Sequence, residues 1–449
     1  MVTMQYIKMK DSGVAWIGEI PNHWKTLRLK FASWLKGRIG WQGLKSDEYT
    51  DEGAYLITGT DFDKGRINWD TCAHITVERF NEDSDIHIQE GDLLITKDGT
   101  IGKVAIARDC PAMVSLNSGV MLIRNIRKQK YHDKYLYYIL NSNQFLKWYE
   151  LSQNGASTIK HLYQEQFYNF RFSYPPLPEQ EAIAAYLDEK CAVIDDTIAE
   201  AKASIEEYKA WKASVIFEAV TKGLDPNAEM KDSGVEWIGK IPVGATLIKL
   251  KYLIQGYKAG PFGSALITGA LLPEGGILVY TPEHIAKKSV YTDKNLFLPT
   301  ERREEMSQFF VEPGDIIFPI VGSLGRAMRS TTDMPSGIIN QRLAKFRLNE
   351  KLVDSSYFMW LFANSSFYST YIDLYQRGSI IVNLTKTIVG EMPFVLPSLP
   401  TQRKIAAYLD EKCAAIDGII AEKESLIAEL ETYKKSLIFE TVTGKRRIV

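Results

Sequence analysis

The chain has 449 residues and a formal net charge of −1, with 45% hydrophobic and 24% charged residues, a profile that excludes disordered, fibrous and collagen-like classes. The near-neutral balance supplies no global attraction to nucleic acid, so any such surface must be local. No apolar run is long enough to span a membrane, and the start "MVTMQYIKMKDSG" lacks the basic-then-apolar order of a secretory signal, so the cytoplasm is the expected location and no membrane partner is expected. Four cysteines, Cys72, Cys110, Cys191 and Cys413, form no CxxC pair, which reads as reduced packing residues rather than disulfides or zinc ligands.

In chain order, "MKDSGVAWIGEIP" (Met9 to Pro21) comes first, followed by a Gly- and Trp-containing stretch, "GRIGWQGLKSDEY". "GDLLITKDGTIGKVAIA" (Gly91 to Ala107) is two short apolar runs around a glycine-containing turn and predicts a hairpin. "KYLYYILNSNQFLKWYE" has helical spacing with aromatics that are expected in the core. A glycine-led loop, "NGASTIKHL", precedes "PPLPEQ", whose prolines stop an extended segment and suit a helix start. Residues 181–222 contain neither proline nor glycine and predict one long helix ending near Gly223.

The same order then begins again. "MKDSGVEWIGKIP" (Met230 to Pro242) lies 221 residues after its first copy, and "IAAYLDEKCAAID" (Ile405 to Asp417) repeats twelve of thirteen positions of "IAAYLDEKCAVID" (Ile183 to Asp195), 222 residues later. "GDIIFPIVGSLGRAMRS", "SYFMWLFANSSFYSTYI" and "RGSIIVNL" answer the hairpin, the aromatic helices and the loop, and a second long helix stops near Gly444. Between these landmarks the copies diverge, "GYKAGPFGSALIT" standing where the first has "GRIGWQGLKSDEY". The period is far too long for a solenoid, so the chain is two copies of one foldable unit.

Along the first helix Leu187, Cys191, Ile194, Ile198, Ala201, Ile205 and Tyr208 are spaced alternately four and three apart, and Leu409, Cys413, Ile416, Ile420, Lys423, Ile427 and Leu430 hold the same places in the second. That alternation is a coiled-coil seam, with Lys423, Lys212 and Lys434 as polar interruptions that can fix register. Helices of this length outrun a domain of about 200 residues, so they are expected to bury their seams on each other, antiparallel, about an approximate two-fold axis. Packing of each helix on its own domain is the alternative.

The predicted fold class is α+β: two strand-rich mixed domains separated by two long antiparallel coiled-coil helices in an internal pseudo-two-fold repeat. The expected divisions are 1–175, 176–223, 224–397 and 398–449.

Catalytic motifs are missing from the sequence. No G-x-x-x-x-G-K-[ST] phosphate loop is present, since Lys97 stands where Gly102-Lys103 would need the first glycine and Val104 follows. "SYPP" at Ser173 to Pro176 lacks the amide of a methyltransferase signature. Asp92 and Lys97 make a poor nuclease, because Ile320 is the counterpart of Lys97 and no acid stands two residues before it. The six histidines show no ligand spacing.

The order of "MKDSGVAWIGEIP", the "GDLLITKDGTIGKVAI" hairpin and "PPLPEQ" leading into "IAAYLDEK", all duplicated, resembles the specificity subunits of type I restriction-modification systems over essentially the whole chain. The second copy departs in having "PSLPTQ" for "PPLPEQ". The resemblance implies two target-recognition domains, each reading one half of a bipartite double-stranded DNA site, held apart by antiparallel helices that dock two modification subunits. Restriction (nuclease-translocase) subunits assemble on that core. It also implies no cofactor on this chain, with S-adenosylmethionine, ATP and Mg used by the partner subunits.

Phosphate contact needs Lys or Arg, and base reading needs groups that bond in a groove. Candidates are Arg38, Trp41, Gln42, Lys45, Lys97, Lys103 and Lys160 in the first copy, and Lys258, Ser264, Arg326, Gln341, Arg342, Arg377 and Asn383 in the second. For each, a solvated charge or turn residue is the alternative, and Trp41 could be core. A two-headed coiled-coil adaptor that binds proteins instead of DNA would share this architecture.

Overall fold

The computed structural model describes residues 8–38, 44, 46–126, 130–153, 161–261, 271–290, 295–322, 324–363, 366–376 and 384–448. The chain folds as two compact units, Met1–Ala201 together with Glu424–Val449, and Lys202–Lys423. Neither unit coincides with one sequence copy. Each takes one half of each long helix, Leu177–Lys222 and Leu399–Val442.

In the first unit a four-stranded antiparallel sheet runs in the order Val104–Ile106, Leu93–Thr96, Val120–Asn125, Ser33–Gly37. Its strands read as continuous apolar runs because both faces are covered. Leu93, Ile95, Met121 and Ile123 face one core, and Leu94, Val120 and Leu122 face another. Beyond the second core lies a three-stranded sheet in which Val114–Leu116 runs parallel to Ala54–Ile57. The second unit repeats the plan: Ile254–Ala259, Leu343–Leu348, Asp315–Pro319 and Met328–Arg329 form the central sheet, with Ile316 and Phe318 in one core and Ile317 in the other.

Both expected hairpins are present, Leu93 opposite Ile106 and Ile316 opposite Arg329. The "GD" that opens each has a structural reason. Gly91 and Gly314 adopt φ of 89° and 91°, a left-handed conformation that favours glycine. The next residue is a buried aspartate: Asp92 accepts from the Gln89 N–H at 2.7 Å and from Arg124 Nε at 2.9 Å, and Asp315 from the Glu312 N–H at 3.0 Å, Arg347 at 3.0 Å and Lys345 at 2.9 Å. These carboxylates close turns. The aromatic segments form helix pairs, Asp133–Leu140 with Asn143–Ser152 and Ser355–Ala363 with Ser366–Gln376, and Tyr135, Phe145, Trp148, Tyr357, Phe358 and Phe367 are buried as expected.

The long helices start within the proline motif, and its glutamine fastens them. Gln180 is fully buried: its Oε1 accepts from His132 N–H at 2.9 Å and its Nε2 donates to Pro175 O at 2.8 Å. Gln402 repeats this with Asp354 N–H at 2.7 Å, Pro397 O at 2.9 Å and Leu352 O at 3.0 Å. Buried tyrosines hold the opposite helix end in each unit, Tyr135 donating to Val442 O at 3.1 Å and Tyr357 to Val220 O at 3.0 Å.

The apolar stripe does two jobs. In the first unit Leu187, Cys191, Ile194 and Ile198 share one core with Tyr135, Leu136 and Tyr138 of the globular part and with Leu437, Ile438 and Val442 of the other helix. Ile427 and Leu430 pack at its edge. In the second unit Leu409 and Cys413 share a core with Tyr357 and Phe358 and with Ile216, Ala219 and Val220. Ile205 and Ile416 are buried and Ile420 is half-buried. The stripe therefore buries against the globular part as well as toward the other helix, so mutual burial and packing on the own domain are combined: each helix also completes the core of a globular part, because a small domain gains more from one continuous apolar core than from two.

Two of the three polar interruptions, Lys434 and Lys212, pair with aspartates across the helices. Lys434 Nζ lies 2.6 Å from both oxygens of Asp195, and Lys212 Nζ 2.6 Å from both oxygens of Asp417. These pairs are the same contact made by each copy of the repeat. Their side chains are partly exposed, so they are worth at most about 1 kcal/mol each and act mainly on register.

Replacing Gln180 or Gln402 by leucine should destabilise its own unit by about 1–3 kcal/mol, because a buried backbone N–H and carbonyl lose their partner. Denaturant unfolding checks this, and a loss below about 0.5 kcal/mol, the range of neutral surface changes, at both sites would remove the glutamines from this role.

Candidate nucleic-acid interface

One end of each central sheet gathers several loops. In the first unit the Lys97 N–H donates to Gly119 O at 2.8 Å, and the Leu162 N–H donates to Lys97 O at 3.0 Å. The turn between is tied internally: the Thr96 hydroxyl donates to Thr100 O at 2.6 Å and accepts from the Lys103 N–H at 3.0 Å. The Asn117 N–H reaches Ile57 O at 2.9 Å, which brings the Thr58–Asp61 turn to the same end. In the second unit the Ile320 N–H donates to Arg342 O at 2.9 Å and the Leu384 N–H to Ile320 O at 2.9 Å. Gly260 abuts this turn so closely that a Cβ on it would lie 1.9 Å from Asn340 O. The two loop clusters are thus closed by equivalent backbone bonds and carry different side chains.

The candidate residues divide plainly. Trp41, Gln42, Lys45, Lys160, Ser264, Arg377 and Asn383 lie outside the described residues. Lys103, Arg326, Gln341 and Arg342 are exposed at the loop clusters, and Arg342 packs beside Gly322, 3.0 Å from where a Cβ would stand. Lys97 is half-buried in the first cluster, with Nζ 3.4 Å from Arg38 O. Burial holds its pKa below the usual lysine value, opposed by the charge of Asp98. Lys258 is half-buried, its ammonium bound to Gln308 and 5.1 Å from the centre of the Phe309 ring.

Arg38 is a correction. It is 1% exposed, donating from Nε to Leu116 O at 3.0 Å and from Nη2 to Ser115 Oγ at 3.2 Å. Burial lowers its pKa, with the nearby Arg79 charge second, yet a guanidinium stays charged at neutral pH. Two of its N–H donors are spent on the fold and the side chain is buried, so Arg38 is a strut under the cluster and not a contact on it.

The clusters also contain polar groups that the sequence did not single out. Asp98 pairs with His161, Asn117 Nδ2 donates to Tyr49 OH at 3.1 Å, and Thr58 and Thr60 share a hydroxyl bond of 2.7 Å. Asn340, the equivalent of Asn117, accepts from the Arg342 N–H at 3.0 Å. The asparagine recurring in "SLN" and "IIN" before the equivalent strands was the available signal. The threonines had none, because they lie where the copies diverge. Among the described residues no group of His, Cys, Asp or Glu could hold a metal ion, and no helix is long and apolar enough to cross a membrane.

The family described as the type I restriction modification DNA specificity domain matches residues 41–207 and 273–431, once in each copy. The chain belongs to the type I restriction-modification specificity-subunit family. This specificity subunit is 24% identical over 456 residues to the type I restriction enzyme MjaVIII specificity subunit of Methanocaldococcus jannaschii, covering 100% of this chain and 99% of the relative. Its fold matches a chain from a solved type I R-M system with a TM-score of 0.71 at 14% identity, covering 95% of this chain and 99% of the other. The HsdS subunit from Thermoanaerobacter tengcongensis matches with a TM-score of 0.53 at 16% identity, covering 95% and 98%. The duplicated loop clusters are accordingly the candidate DNA-reading ends of a specificity subunit, and the adaptor without DNA recognition has no support.

Arg342→Ala in the assembled complex should leave the thermal midpoint unchanged and weaken DNA binding. The loss should be roughly uniform over sequences, with a salt slope smaller by about 0.9, for a phosphate contact, or about 1–3 kcal/mol with relaxed specificity at one base for a base contact. Arg38→Ala should instead cost about 1–3 kcal/mol of stability through two unpaired acceptors. Anisotropy titrations across salt, read beside melting curves, separate the two.

Proposed function

We propose that each recognition domain reads one half of a bipartite double-stranded DNA site through its loop cluster, and that the two long helices form an antiparallel coiled-coil spacer. The observation that carries this reading is the equivalent closure of the two clusters, Lys97 with Gly119 and Leu162, Ile320 with Arg342 and Leu384, with different side chains on the same frame. A shared scaffold with unlike surfaces suits two half-sites of different sequence. Residues outside the frame, including those at 39–45, 154–160, 262–270 and 377–383, remain candidates for contact.

In this reading the helices also dock two modification subunits, with restriction subunits joining the complex. Repeat-equivalent exposed aromatics support two equal docking surfaces: Trp211 is 44% exposed and Tyr433 48%, and the Lys412 ammonium stands 4.9 Å over Trp211. The chain is non-catalytic and cytoplasmic, and S-adenosylmethionine, ATP and Mg belong to the partners. The lack of phosphate-loop and methyltransferase signatures in the sequence supports that division.

The test is methylation mapping. The purified chain alone should transfer no methyl groups; supplied with modification subunits it should direct methylation to a two-part site. Exchange of residues 24–172 for the equivalent segment of another family member should change one half-site and leave the other intact. Change at both halves would contradict separate reading.

The spacer has its own test, shaped by the paired lysines. An insertion in one helix alone would set Lys434–Asp195 and Lys212–Asp417 against each other. Four residues are therefore added to both helices, between Ala199 and Glu200 and between Ala421 and Glu422. Each helix lengthens by about 6 Å and turns by about 40°. At about 3.4 Å per base pair, the non-specific spacer should grow by one or two base pairs while the half-sites stay the same. A folded variant that methylates with the original spacer would show that the helices do not set the distance.

A further inference from the structure

The strands Ala54–Ile57 and Ile277–Tyr280 each lead into a turn of one plan, closed by different chemistry. Ile57 O accepts from the Asn117 N–H at 2.9 Å and Tyr280 O from the Asn340 N–H at 3.0 Å, so Thr58 is equivalent to Thr281, and Asp61 to His284. In the first turn the Thr58 N–H donates to Asp61 Oδ2 at 2.7 Å, and its hydroxyl donates to the same oxygen at 2.8 Å. In the second the Thr281 N–H donates to His284 Nδ1 at 3.0 Å, with the hydroxyl 2.9 Å from that nitrogen. The backbone agrees as well: the Asp61 and His284 N–H groups return to Thr58 O and Thr281 O at 3.3 and 3.1 Å, and their own carbonyls accept from the Asn68 and Ser289 N–H groups at 2.8 and 3.1 Å. Both closing side chains are buried, Asp61 at 2% exposure and His284 at 0%.

A backbone N–H can only donate, so Nδ1 of His284 carries no proton and the ring is neutral, with its hydrogen on Nε2. A second proton would set N–H against N–H and open the turn. Burial holds the pKa of His284 below the usual imidazole value, against the raising effects of Asn295 and of the Glu283 charge. Tyr280 stands edge-on to the ring at 5.5 Å, and Glu283 pairs with Lys287 at 2.9 Å. Asp315, on the strand packed against this short helix, is held by Lys345 and Arg347. His284 is the only histidine in residues 202–423. Its turn also reaches the candidate interface: Tyr280 O holds Asn340, and Asn340 Oδ1 accepts from the Arg342 N–H at 3.0 Å. The imidazole is thus tied through Thr281 and Asn340 to the exposed Gln341 and Arg342.

We propose that His284 is a positioning residue for DNA reading by the second domain, the neutral-imidazole counterpart of Asp61, and that acid withdraws it. The inference rests on the DNA reading above and adds to it a pH response in one half-site. An imidazole ordinarily titrates near pH 6.5 and a carboxylate near about 3.9. Because the fold favours the neutral ring, the turn is fully held above about pH 6.5 and is lost as the pH falls through that value toward the lowered one.

The assembled complex is titrated by anisotropy at about pH 7.5 and about pH 5.5, either side of the ordinary imidazole value. The DNA is the site found by methylation mapping, intact or with each half scrambled in turn, and exchange of residues 24–172 assigns the halves to the domains. Discrimination by the second domain, the ratio of Kd for scrambled and intact DNA, should fall in acid, by at most about tenfold per pH unit for one proton. His284→Asp should remove this fall, and Asp61→His should add one to the first half-site relative to the parent complex. In the intact purified chain, nitrogen NMR should show the Nε2–H tautomer of His284 at neutral pH, and the Thr281 amide shift should titrate with the ring. Equal binding of intact and scrambled DNA at neutral pH would sink the DNA reading and this proposal with it. Second-domain discrimination that holds in acid, a fall that persists in a folded His284→Asp complex, or a ring that titrates without the Thr281 amide would overturn this proposal and leave the reading standing.

Discussion

Neither copy of the repeat contains a complete core, and that constraint governs the rest of the molecule. Leu187, Cys191, Ile194 and Ile198 bury against their own aromatic helix pair, but the same core is finished by Leu437, Ile438 and Val442, more than two hundred residues later in the chain. The second unit is completed in the reciprocal way by Ile216, Ala219 and Val220. A fully buried aliphatic side chain contributes about 1.5–3 kcal/mol, so the borrowed residues amount to a substantial part of the stability of either unit. The chain must pair its two long helices before either recognition domain is whole. Such non-local contacts slow folding.

The fastening groups are few and occur twice. A buried glutamine enters each long helix, and a buried tyrosine grips the departing end of the other, Tyr135 on Val442 O and Tyr357 on Val220 O. The lysine and aspartate pairs add register at little energetic gain, since they remain partly in water. The proposed DNA-reading turns lie away from these groups, at the sheet ends, where the backbone bonds are shared by the copies and the side chains are not. Loops held by a rigid sheet can vary without cost to the core.

Much of this was legible in the residues. The "GD" turns, the proline-glutamine motif, the two hairpins and the long helices recur at one offset, and each has an equivalent structural role in both units. Legibility failed where a role depends on what a side chain meets in space. Arg38 has the chemistry of a phosphate contact, and only its position under Leu116 and Ser115 makes it a strut. The threonines of the first cluster lie in divergent sequence, and Asp98 and His161 have the unlike Val321 and Asn383 as their counterparts in the second copy, so the repeat gives no signal there. The apolar spacing of 4 and 3 announces a buried stripe; it does not say against what.

By itself, then, the sequence determined the duplication, the strand and helix content, and the family. Local periodicity and turn chemistry act over a few residues, and a repeat is visible in any linear string. The tertiary structure alone decided that the folding unit is offset from the repeating unit and that the stripe serves a domain core as well as a helix partner. Those outcomes depend on packing between residues far apart in the chain, and packing is set by shape and contact, which no single segment encodes.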